Sequence, residues 1–279
     1  MTDNAEHVIS PPGAHDRTQP RELGVTSPVE NGPEAMPPGS TVEAFEVREV
    51  LGQGGFGITY LAKDLRLQSL VALKEYFPSD FARRDVNGAV SPKSASAEKL
   101  FNWGKGRFLM EAQTLAKFKH PNIVRVLSLF EANNTAYMVM DYEHGESLED
   151  ILERHKTMPE ARLLALLDPL LTGLELLHTS GVIHRDIKPG NIYIRQDGSP
   201  VLLDFGSARS ALGSHTKTLA ALLTPGYSPL EQYYSTSENQ GPWTDIYALG
   251  AVLYRAVTGI RPPEAALRTS SALRGDVDP

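Results

Sequence analysis

The sequence predicts an α+β fold of two lobes, a small β-rich lobe followed by a larger helical lobe. Up to about residue 140, short runs rich in β-branched and aromatic residues alternate with glycines and turn residues, a pattern typical of strands. After that point, long segments repeat apolar residues at helical spacing. We expect a hinge at residues 141–146 and a cleft between the lobes, because such clefts are common ligand sites.

The bulk composition limits the classes of function. The 279 residues carry a net charge of −7, with 41% hydrophobic and 22% charged residues, which argues against a general nucleic-acid binder. There is no cysteine, so disulfides, thiolate catalysis and cysteine-based zinc sites are excluded. No apolar run approaches the roughly 18–20 residues that span a bilayer. We therefore expect no membrane segment in this chain and a cytoplasmic location, which the missing cysteines fit. A full-length protein tethered to a membrane by sequence beyond residue 279 is the alternative.

The N-terminal residues 1–42 are predicted to be a disordered leader. They are rich in proline, glycine, serine and glutamate and show no hydrophobic period, so they cannot bury enough apolar area to offset the entropy of ordering. A plain tether is the simpler interpretation, and a docking motif is the alternative.

The first lobe, residues 43–140, is predicted to be a small sheet with one helix. Strands are expected in "FEVREV", "GITYLAKDL", "SLVALKEYF", "NIVRVLSLFE" and "TAYMVMDY", with Asn133 and Asn134 as the last turn. The helix is expected in "GRFLMEAQTLAKFKH", and a polar stretch, residues 79–100, precedes it.

The second lobe, residues 147–279, is predicted to be mostly helical. Ser147 suits an N-cap with Asp150 at the third helical position. The segment from Pro159 to Gly181 is apolar nearly all round, which predicts a buried helix kinked at Pro169. "WTDIYALGAVLYRAVTG" predicts a second buried helix.

Three glycines form a G-x-G-x-x-G pattern between two predicted strands: Gly52, Gly54 and Gly57. A dinucleotide-binding fold would need a helix directly after them, and a strand follows instead. A tight hairpin is the plain alternative. A glycine loop also lets backbone N–H groups approach a polyphosphate, and Phe56 at its tip would shield that group from water.

Lys74 lies inside the apolar strand "VALK", where an ammonium group needs an anion or must reach solvent at the edge of the sheet. Together with the glycine loop, contact with a phosphate is the favoured interpretation. Glu111 lies on or beside the buried face of the predicted helix. We predict that Lys74 and Glu111 form an ion pair, and a solvated glutamate is the alternative.

The stretch "GVIHRDIKPGNIYI" and the following "LLDFG" supply the remaining charged groups. Taken alone, the first is a charged surface turn. With the other motifs present, Asp186 is placed to accept a proton from a hydroxyl, and Lys188 is placed to neutralise a transferring phosphoryl group. Asn191 and Asp204 are oxygen donors of the kind that Mg²⁺ prefers.

These motifs together resemble the eukaryotic-type (Hanks-type) Ser/Thr protein kinases, in their bacterial branch, over about residues 43–265. The resemblance implies the bilobal protein-kinase-like fold, ATP with Mg²⁺ or Mn²⁺ as cofactors, protein substrates that carry Ser or Thr, and possible dimers for trans-autophosphorylation. It implies catalytic roles for Asp186, Lys188, Lys74 and Glu111, and metal binding by Asn191 and Asp204.

The resemblance also implies a nucleotide site. Its residues would be Gly52, Gln53, Gly54, Gly55, Phe56, Gly57, Thr59, Ala72, Lys74, Met140, Asp141, Glu143, Ser147 and Tyr193. Four further side chains would stack as a hydrophobic column: Leu115, Val126, His184 and Phe205. Asp245 would anchor the catalytic loop through its backbone, and Thr224 would contact Asp186 and Lys188.

The chain departs from the family pattern at several places. Thr59 and Tyr193 stand where Val and Leu are usual, which reshapes the adenine pocket, and Gly190 predicts no strong preference for arginine in substrates. Lys74 and Glu111 are 37 positions apart, so residues 79–100 are predicted to be an insertion, either a mobile loop or a docking element. The final helices of the second lobe are expected to be missing or replaced, which removes the usual arginine partner of Glu231.

Thr216 and Thr218 are the predicted phosphorylation sites, among the further candidates Ser207, Ser210 and Ser214, with Arg185 as the partner of a phosphate. A merely flexible Ser/Thr-rich loop is the alternative. For the whole chain, a nucleotide-binding pseudokinase or scaffold is the alternative function. A small-molecule kinase of the aminoglycoside-phosphotransferase type is a further alternative, because such enzymes use the same Asp, Asn and Asp residues. They would lack the segment from "DFG" to "PLE" that this chain contains.

Overall fold

The computed structural model describes residues 34–205, 223–234 and 239–278. The predicted α+β fold of two lobes is confirmed, with a curled sheet and a long helix in the first lobe and a largely helical second lobe.

The first lobe is built on a six-stranded antiparallel sheet, in the order β1-β2-β3-β4-β8-β7. The strands are β1 (Thr41–Val42), β2 (Phe45–Gly54), β3 (Gly57–Asp64), β4 (Ser69–Tyr76), β7 (Val126–Ala132) and β8 (Thr135–Asp141). Both faces of the central strands are covered, and Tyr60, Leu73, Glu75 and Tyr137 have no exposed surface. The register sets Thr59 opposite Lys74 and Ala72 opposite Met140.

The polar stretch 79–100, predicted to be a mobile loop or a docking element, has regular secondary structure. It contains a hairpin of β5 (Ala82–Arg84) and β6 (Val90–Pro92) and the first turns of helix α1 (Ala95–Leu115). Ser94 caps α1 by accepting a hydrogen bond from the N–H of Ala97, and Phe101 packs in the core. Helix α1 therefore begins well before the predicted start.

The predicted boundary of the leader is also wrong for residues 34–42. This segment lies against the sheet, with Met36 and Val42 buried, and the N–H of Met36 donates to the hydroxyl of Tyr60 at 3.2 Å. The burial of two apolar side chains and the pairing of β1 with β2 supply the order that composition alone did not suggest. The rest of the predicted leader lies outside the described residues.

The end of the hinge forms the short strand β9 (Gly145–Ser147), which pairs with β10 (Ile192–Arg195) of the second lobe and through it with β11 (Pro200–Leu202). The helices of the second lobe are α2 (Leu148–His155), α3 (Glu160–Thr179), α4 (Pro242–Thr258) and α5 (Ala265–Arg274), with short 3-10 turns at Pro189–Asn191 and Leu230–Tyr233. The predicted cap is confirmed, since Ser147 accepts from the N–H of Asp150 at 3.1 Å.

Helices α3 and α4 are buried on one side only, so the prediction of all-round burial is wrong. In α3, Leu170, Leu174 and Leu177 pack inside, whereas Leu164 and Leu171 are exposed. The exposed apolar side chains of α4 are Trp243, Ile246, Tyr254 and Val257. Within the described ranges, no helix has the length and apolar character needed to cross a bilayer.

Candidate active site

A cleft of about 700 Å³ lies between the lobes. Nine of the predicted nucleotide-site and metal-site residues line it: Gly52, Thr59, Ala72, Met140, Asp141, Glu143, Ser147, Tyr193 and Asp204. Its lining combines apolar side chains such as Ala72, Val124 and Met140 with acidic ones such as Glu49 and Asp204, which suits a ligand with a flat apolar ring and a polar tail.

The glycine loop joins β2 to β3 at one wall of the cleft, where Gln53 pairs with Ile58 and Gly54 with Gly57. A Cβ on Gly57 would lie 2.6 Å from the carbonyl oxygen of Glu75, so the close approach of β4 requires glycine there. A Cβ on Gly52, Gly54 or Gly55 would meet no atom within 4 Å. Packing against the described residues therefore does not explain these three glycines.

Lys74 pairs with Asp204 and not with Glu111, which corrects the ion pair predicted from the sequence. The Lys74 Nζ lies 2.7 Å from Asp204 Oδ1. Burial alone lowers the pKa of Lys74, but the charges of Asp204 and Glu111 outweigh it and raise that pKa. Burial likewise opposes ionisation of Asp204, yet Lys74 holds its pKa below the usual value. Both groups are therefore charged at neutral pH.

Glu111 is buried on α1 and still acts on the same region through its charge. It raises the pKa of Lys74, and it also opposes the lowering of the Arg185 pKa that burial causes. Asp204, two residues after the end of β11, reaches the same ammonium group, a contact that the sequence spacing of Lys74 and Glu111 does not indicate.

The carboxylate of Asp186 accepts hydrogen bonds from three side chains. Its Oδ2 accepts from Lys188 Nζ at 3.0 Å and from Asn191 Nδ2 at 2.9 Å, and its Oδ1 accepts from the hydroxyl of Thr224 at 2.9 Å. Asn191 also donates to the carbonyl of Asp204 at 3.3 Å. The structure therefore brings Asp186, Lys188 and Asn191 together next to Asp204, which lines the cleft.

Asp245 of α4 fixes the backbone of the loop that carries Asp186. The carboxylate of Asp245 accepts from the N–H groups of His184 and Arg185 at 2.9 and 2.8 Å, and it lies 2.8 Å from His178 Nε2. Arg185 adopts a positive φ of 69°, a conformation that these contacts stabilise. The backbone anchoring expected of Asp245 is present.

His184 and Phe205 stack beneath the cleft, with ring centroids 4.3 Å apart, and Leu115 and Val126 are buried in the same core. The hydrogen bonds assign the tautomer of His184. Its Nε2 lies 3.0 Å from the carbonyl of Leu203 and so carries the proton, and its Nδ1 accepts from the N–H of Asp186 at 3.3 Å. These two hydrogen bonds fit the neutral form of the His184 ring.

The hinge is fixed by side chains on its far side. Glu143 forms a two-pronged ion pair with Arg195 of β10, at 2.5 and 2.7 Å, and Tyr193 donates its hydroxyl to the carbonyl of Gly145 at 2.8 Å. The N–H of Asp141 is occupied by the carbonyl of Arg125 at 3.0 Å. Tyr193 therefore joins the hinge strand to the floor of the cleft, a role that the usual Leu would not fill.

The family model described as "Protein kinase domain" matches residues 45–275. The chain belongs to the protein kinase family.

Its curated relatives in this family are bacterial Ser/Thr kinases. It is 34% identical over 227 residues to "Serine/threonine-protein kinase PknB" of Mycobacterium leprae, which covers 79% of this chain and 33% of the relative. It is 34% identical to "Serine/threonine-protein kinase pkn2" of Myxococcus xanthus, over 78% of this chain and 25% of the relative. The chain thus spans about a third or less of these relatives.

A solved structure gives the same result for the fold. The structure "PpkA-294 apo form" superposes with a TM-score of 0.78 and 38% sequence identity, covering 88% of this chain and 89% of that one. Membership in the kinase family implies the use of ATP and of a divalent metal ion.

We expect the kinase domain to lose stability as the pH falls from 7.5 to 5.5. Burial lowers the pKa of His184 below its ordinary value of 6.5 and outweighs the nearby carboxylates of Asp245, Asp186 and Asp204. Below about pH 6.5 the unfolded chain binds a proton at this ring that the folded chain does not bind, so the free energy of unfolding decreases with falling pH.

Urea unfolding at the two pH values measures this effect. His184→Gln should show a smaller change between pH 7.5 and 5.5 than the unmodified protein, while His155→Gln, at an exposed position, should keep the original change. An equal pH dependence in His184→Gln and the unmodified protein would contradict the assignment.

Sequence reasoning missed some residues of the kinase cleft. Leu51, Val124 and Leu203 line it and were not predicted. Leu203 directly precedes Asp204 on the segment that leaves β11, so alternation along that segment was an available signal. Val124 is held at the cleft by the hydrogen bond from its N–H to the carbonyl of Leu202 at 3.0 Å. No local sequence pattern predicts this tertiary contact.

The predicted phosphorylation sites Thr216 and Thr218 lie outside the described residues, as do Ser207, Ser210 and Ser214. Their proposed partner Arg185 is described. Its Nε is buried without a hydrogen-bond partner among the described residues.

The side-chain oxygens of Asn191 and Asp204 form a donor set that fits a divalent metal ion. Asn191 presents its amide nitrogen to Asp186, which leaves its side-chain oxygen for a metal, and Asp204 offers a carboxylate beside it. No cluster of three acidic, histidine or cysteine side chains occurs within the described ranges. Mg²⁺ takes one or two such ligands and completes its shell with phosphate and water, so this sparse set suits it.

Proposed function

We propose that this chain is the catalytic domain of an ATP-dependent protein kinase that transfers the γ-phosphoryl group of ATP to Ser and Thr hydroxyls. The observation that carries the proposal is the convergence of Asp186, Lys188, Asn191 and Lys74 around Asp204, which lines a cleft of nucleotide size. The kinase family of the chain supports the same reaction.

The proposed chemistry is an in-line displacement. The acceptor hydroxyl gives its proton to Asp186 as its oxygen bonds the γ-phosphorus, and the bond from that phosphorus to the bridging oxygen breaks to release ADP. Thr224 and Asn191 fix the Asp186 carboxylate, and Lys188 neutralises charge on the transferring group. Bound Mg²⁺ supplies further charge neutralisation on the phosphates, and we propose Asn191 and Asp204 as its ligands, with Mn²⁺ as a substitute.

The nucleotide is proposed to lie between the glycine loop and Tyr193. Its adenine packs between Ala72 and Tyr193 beside Met140, and the hinge backbone at Asp141 and Glu143 faces its edge. Ser147 lies on the ribose side, although its hydroxyl is already engaged with Asp150 at 2.7 Å. Lys74 and the backbone of the loop from Gly52 to Gly57 hold the phosphates, with Glu111 supporting the charge of Lys74.

We propose that the kinase domain starts at the packed segment 34–42. The first lobe then extends to residue 140, the hinge covers 141–146, and the second lobe begins at Ser147. Protein substrates with Ser or Thr are the proposed partners, and we propose a cytoplasmic location because the reaction consumes ATP.

The test uses the purified chain, ATP labelled at the γ-position and dephosphorylated casein. We expect phosphoserine and phosphothreonine in the presence of Mg²⁺, loss of the signal in excess EDTA, and its return when Mg²⁺ is restored, because the site holds only two weak protein ligands for the metal. Binding of a fluorescent ATP analogue without any transfer would replace the proposal with a nucleotide-binding scaffold.

Autophosphorylation is proposed at Thr216 or Thr218, between two copies of the chain. Mass spectrometry of the product identifies the sites. A rate per molecule that increases with protein concentration is expected for transfer between copies, and a concentration-independent rate would show transfer within one chain.

A further inference from the structure

The segment between β4 and α1, residues 77–94 and named here the brace, contains the hairpin of β5 and β6. At the centre of its contacts lies Glu75, the neighbour of Lys74 in β4. Successive residues of a strand point to opposite faces, so Lys74 faces the cleft and Glu75 faces the other side of the sheet. Glu75 has no exposed surface. A buried carboxylate is costly unless a cation or hydrogen-bond donors compensate its charge.

Arg84 of the hairpin supplies that compensation. Its Nη1 and Nη2 donate to the two carboxylate oxygens of Glu75 at 3.0 and 2.5 Å, and Tyr60 and Tyr137 donate their hydroxyls to the same oxygens at 2.8 Å each. Burial raises the pKa of both tyrosines, so they remain donors. The carboxylate therefore accepts four hydrogen bonds and has one fixed position.

Arg84 also connects the hairpin to the rest of the lobe. Its Nε donates to the carbonyl of Glu34 at 2.8 Å, its Nη1 to that of Gly88 at 3.0 Å, and its guanidinium stacks 5.1 Å from the ring centroid of Phe77. A planar fork with five donors is needed to make these contacts at once, which a lysine ammonium group cannot do.

The brace contacts the other parts of the lobe that would handle ATP. The N–H groups of Phe77 and Ser79 donate to the carbonyls of Phe56 and Gly55 at 3.1 Å each, which ties the tip of the glycine loop to the brace. On the other side, the N–H of Val90 donates to the carbonyl of Asn133 at 2.8 Å, which fixes the hairpin to the β7–β8 turn.

The brace leads directly into α1. Lys93 closes it with an N–H bond to the carbonyl of Phe81 at 2.8 Å, and the next residue, Ser94, is the N-cap of α1. Tyr76 at the end of β4 packs on Phe101 and Phe108 of the helix, with centroids 5.5 and 5.9 Å apart. Glu111 lies sixteen residues after the first helical residue, about 24 Å along the axis, so a rotation at the start displaces it.

We propose that the brace fixes α1, β4 and the glycine loop relative to one another, and that Arg84 is the positioning residue at its centre. The brace lies on the face of the sheet opposite the cleft. From there it fixes the positions of Glu111, Lys74 and the glycine loop relative to one another. This inference rests on the proposed kinase function and adds a residue that touches neither ATP nor substrate.

The test separates positioning from stability with two variants. Arg84→Lys keeps the charge but loses the fork, and we expect kcat to fall about tenfold or more at a temperature where circular dichroism shows a fully folded protein, because small displacements of reacting groups cost large factors in rate. The double variant Glu75→Leu with Arg84→Met replaces the buried pair by apolar groups of similar volume, which often restores stability.

We expect the double variant to unfold near the temperature of the unmodified protein while its kcat stays reduced. Recovery of both quantities would show that the pair serves stability alone and would overturn the proposal. If the stability of the double variant does not recover, the kcat of the folded Arg84→Lys variant is the deciding measurement. An unchanged kcat overturns the proposal, and a reduced kcat supports it. Arg48→Met removes an exposed ion pair of 3.2 Å in the same lobe and should change neither quantity.

A readout without activity keeps the two proposals distinguishable. Hydrogen exchange of the amides of α1 should be faster in Arg84→Lys than in the unmodified protein, and unchanged exchange would contradict the brace even in a chain that transfers no phosphate. If the unmodified protein is inactive and α1 still exchanges faster in the variant, the kinase function fails and the brace stands.

Discussion

Asp186→Asn is expected to lower kcat by about 10²–10⁴-fold while the affinity for ATP stays within about twofold, the range that a positioned general base contributes. The substitution keeps the size of the side chain and leaves one oxygen that can accept from Thr224. It replaces the other oxygen by an N–H₂ group, which cannot accept from Lys188 or Asn191 and cannot take a proton from a hydroxyl.

Steady-state phosphorylation of casein and titration with a fluorescent ATP analogue measure the two quantities. Asp168→Asn makes the same chemical change at an exposed position of α3 and should leave both unchanged. A kcat for Asp186→Asn equal to that of the unmodified protein would remove Asp186 from the mechanism.

The second large effect concerns stability. Arg84→Met should lower the free energy of unfolding by about 3–5 kcal/mol, because it leaves the buried carboxylate of Glu75 without its cation. The side chain of Glu75 is fully buried and that of Arg84 is 10% exposed, so solvent screens the pair very little. The two tyrosine hydroxyls remain as donors but carry no charge to balance the carboxylate.

Urea unfolding at pH 7.5, monitored by circular dichroism, measures the loss. Arg48→Met is the matched control, and its exposed pair should contribute less than about 1 kcal/mol. A loss for Arg84→Met no larger than that of the control would mean that Glu75 is neutral or solvated when Arg84 is absent.

The sequence sufficed for the fold class and for the composition of the site because both depend on local signals. Alternating apolar residues predicted the strands, and Ser147 and Asp150 predicted the start of α2. The predicted site residues came together because strand ends and tight turns place polar side chains at the same edge, as with Asp204 after β11 and Asn191 before β10.

The parts that could not be predicted depend on contacts between distant segments. The polar stretch 79–100 favoured a helix that starts only at Gly106, yet Phe101 and Gly104 are buried in the lobe, which stabilises the earlier turns of α1. The hairpin had a recognisable turn in "DVNG", but its polar flanks gave no reason to expect burial, which comes from Arg84 reaching Glu75. The choice of Asp204 over Glu111 by Lys74 likewise needs three-dimensional distances.

The ion pair of Glu143 with Arg195 has a mechanical consequence for the hinge. From Glu143 onward the hinge is bonded to β10, since Gln196 also donates its N–H to the carbonyl of His144 at 3.1 Å. Up to Asp141 the same chain belongs to the sheet of the first lobe, through the pairing of Asp141 with Val71. Tyr142 lies between these two anchored stretches of the hinge, so we expect its backbone torsions to change most if the lobes open and close.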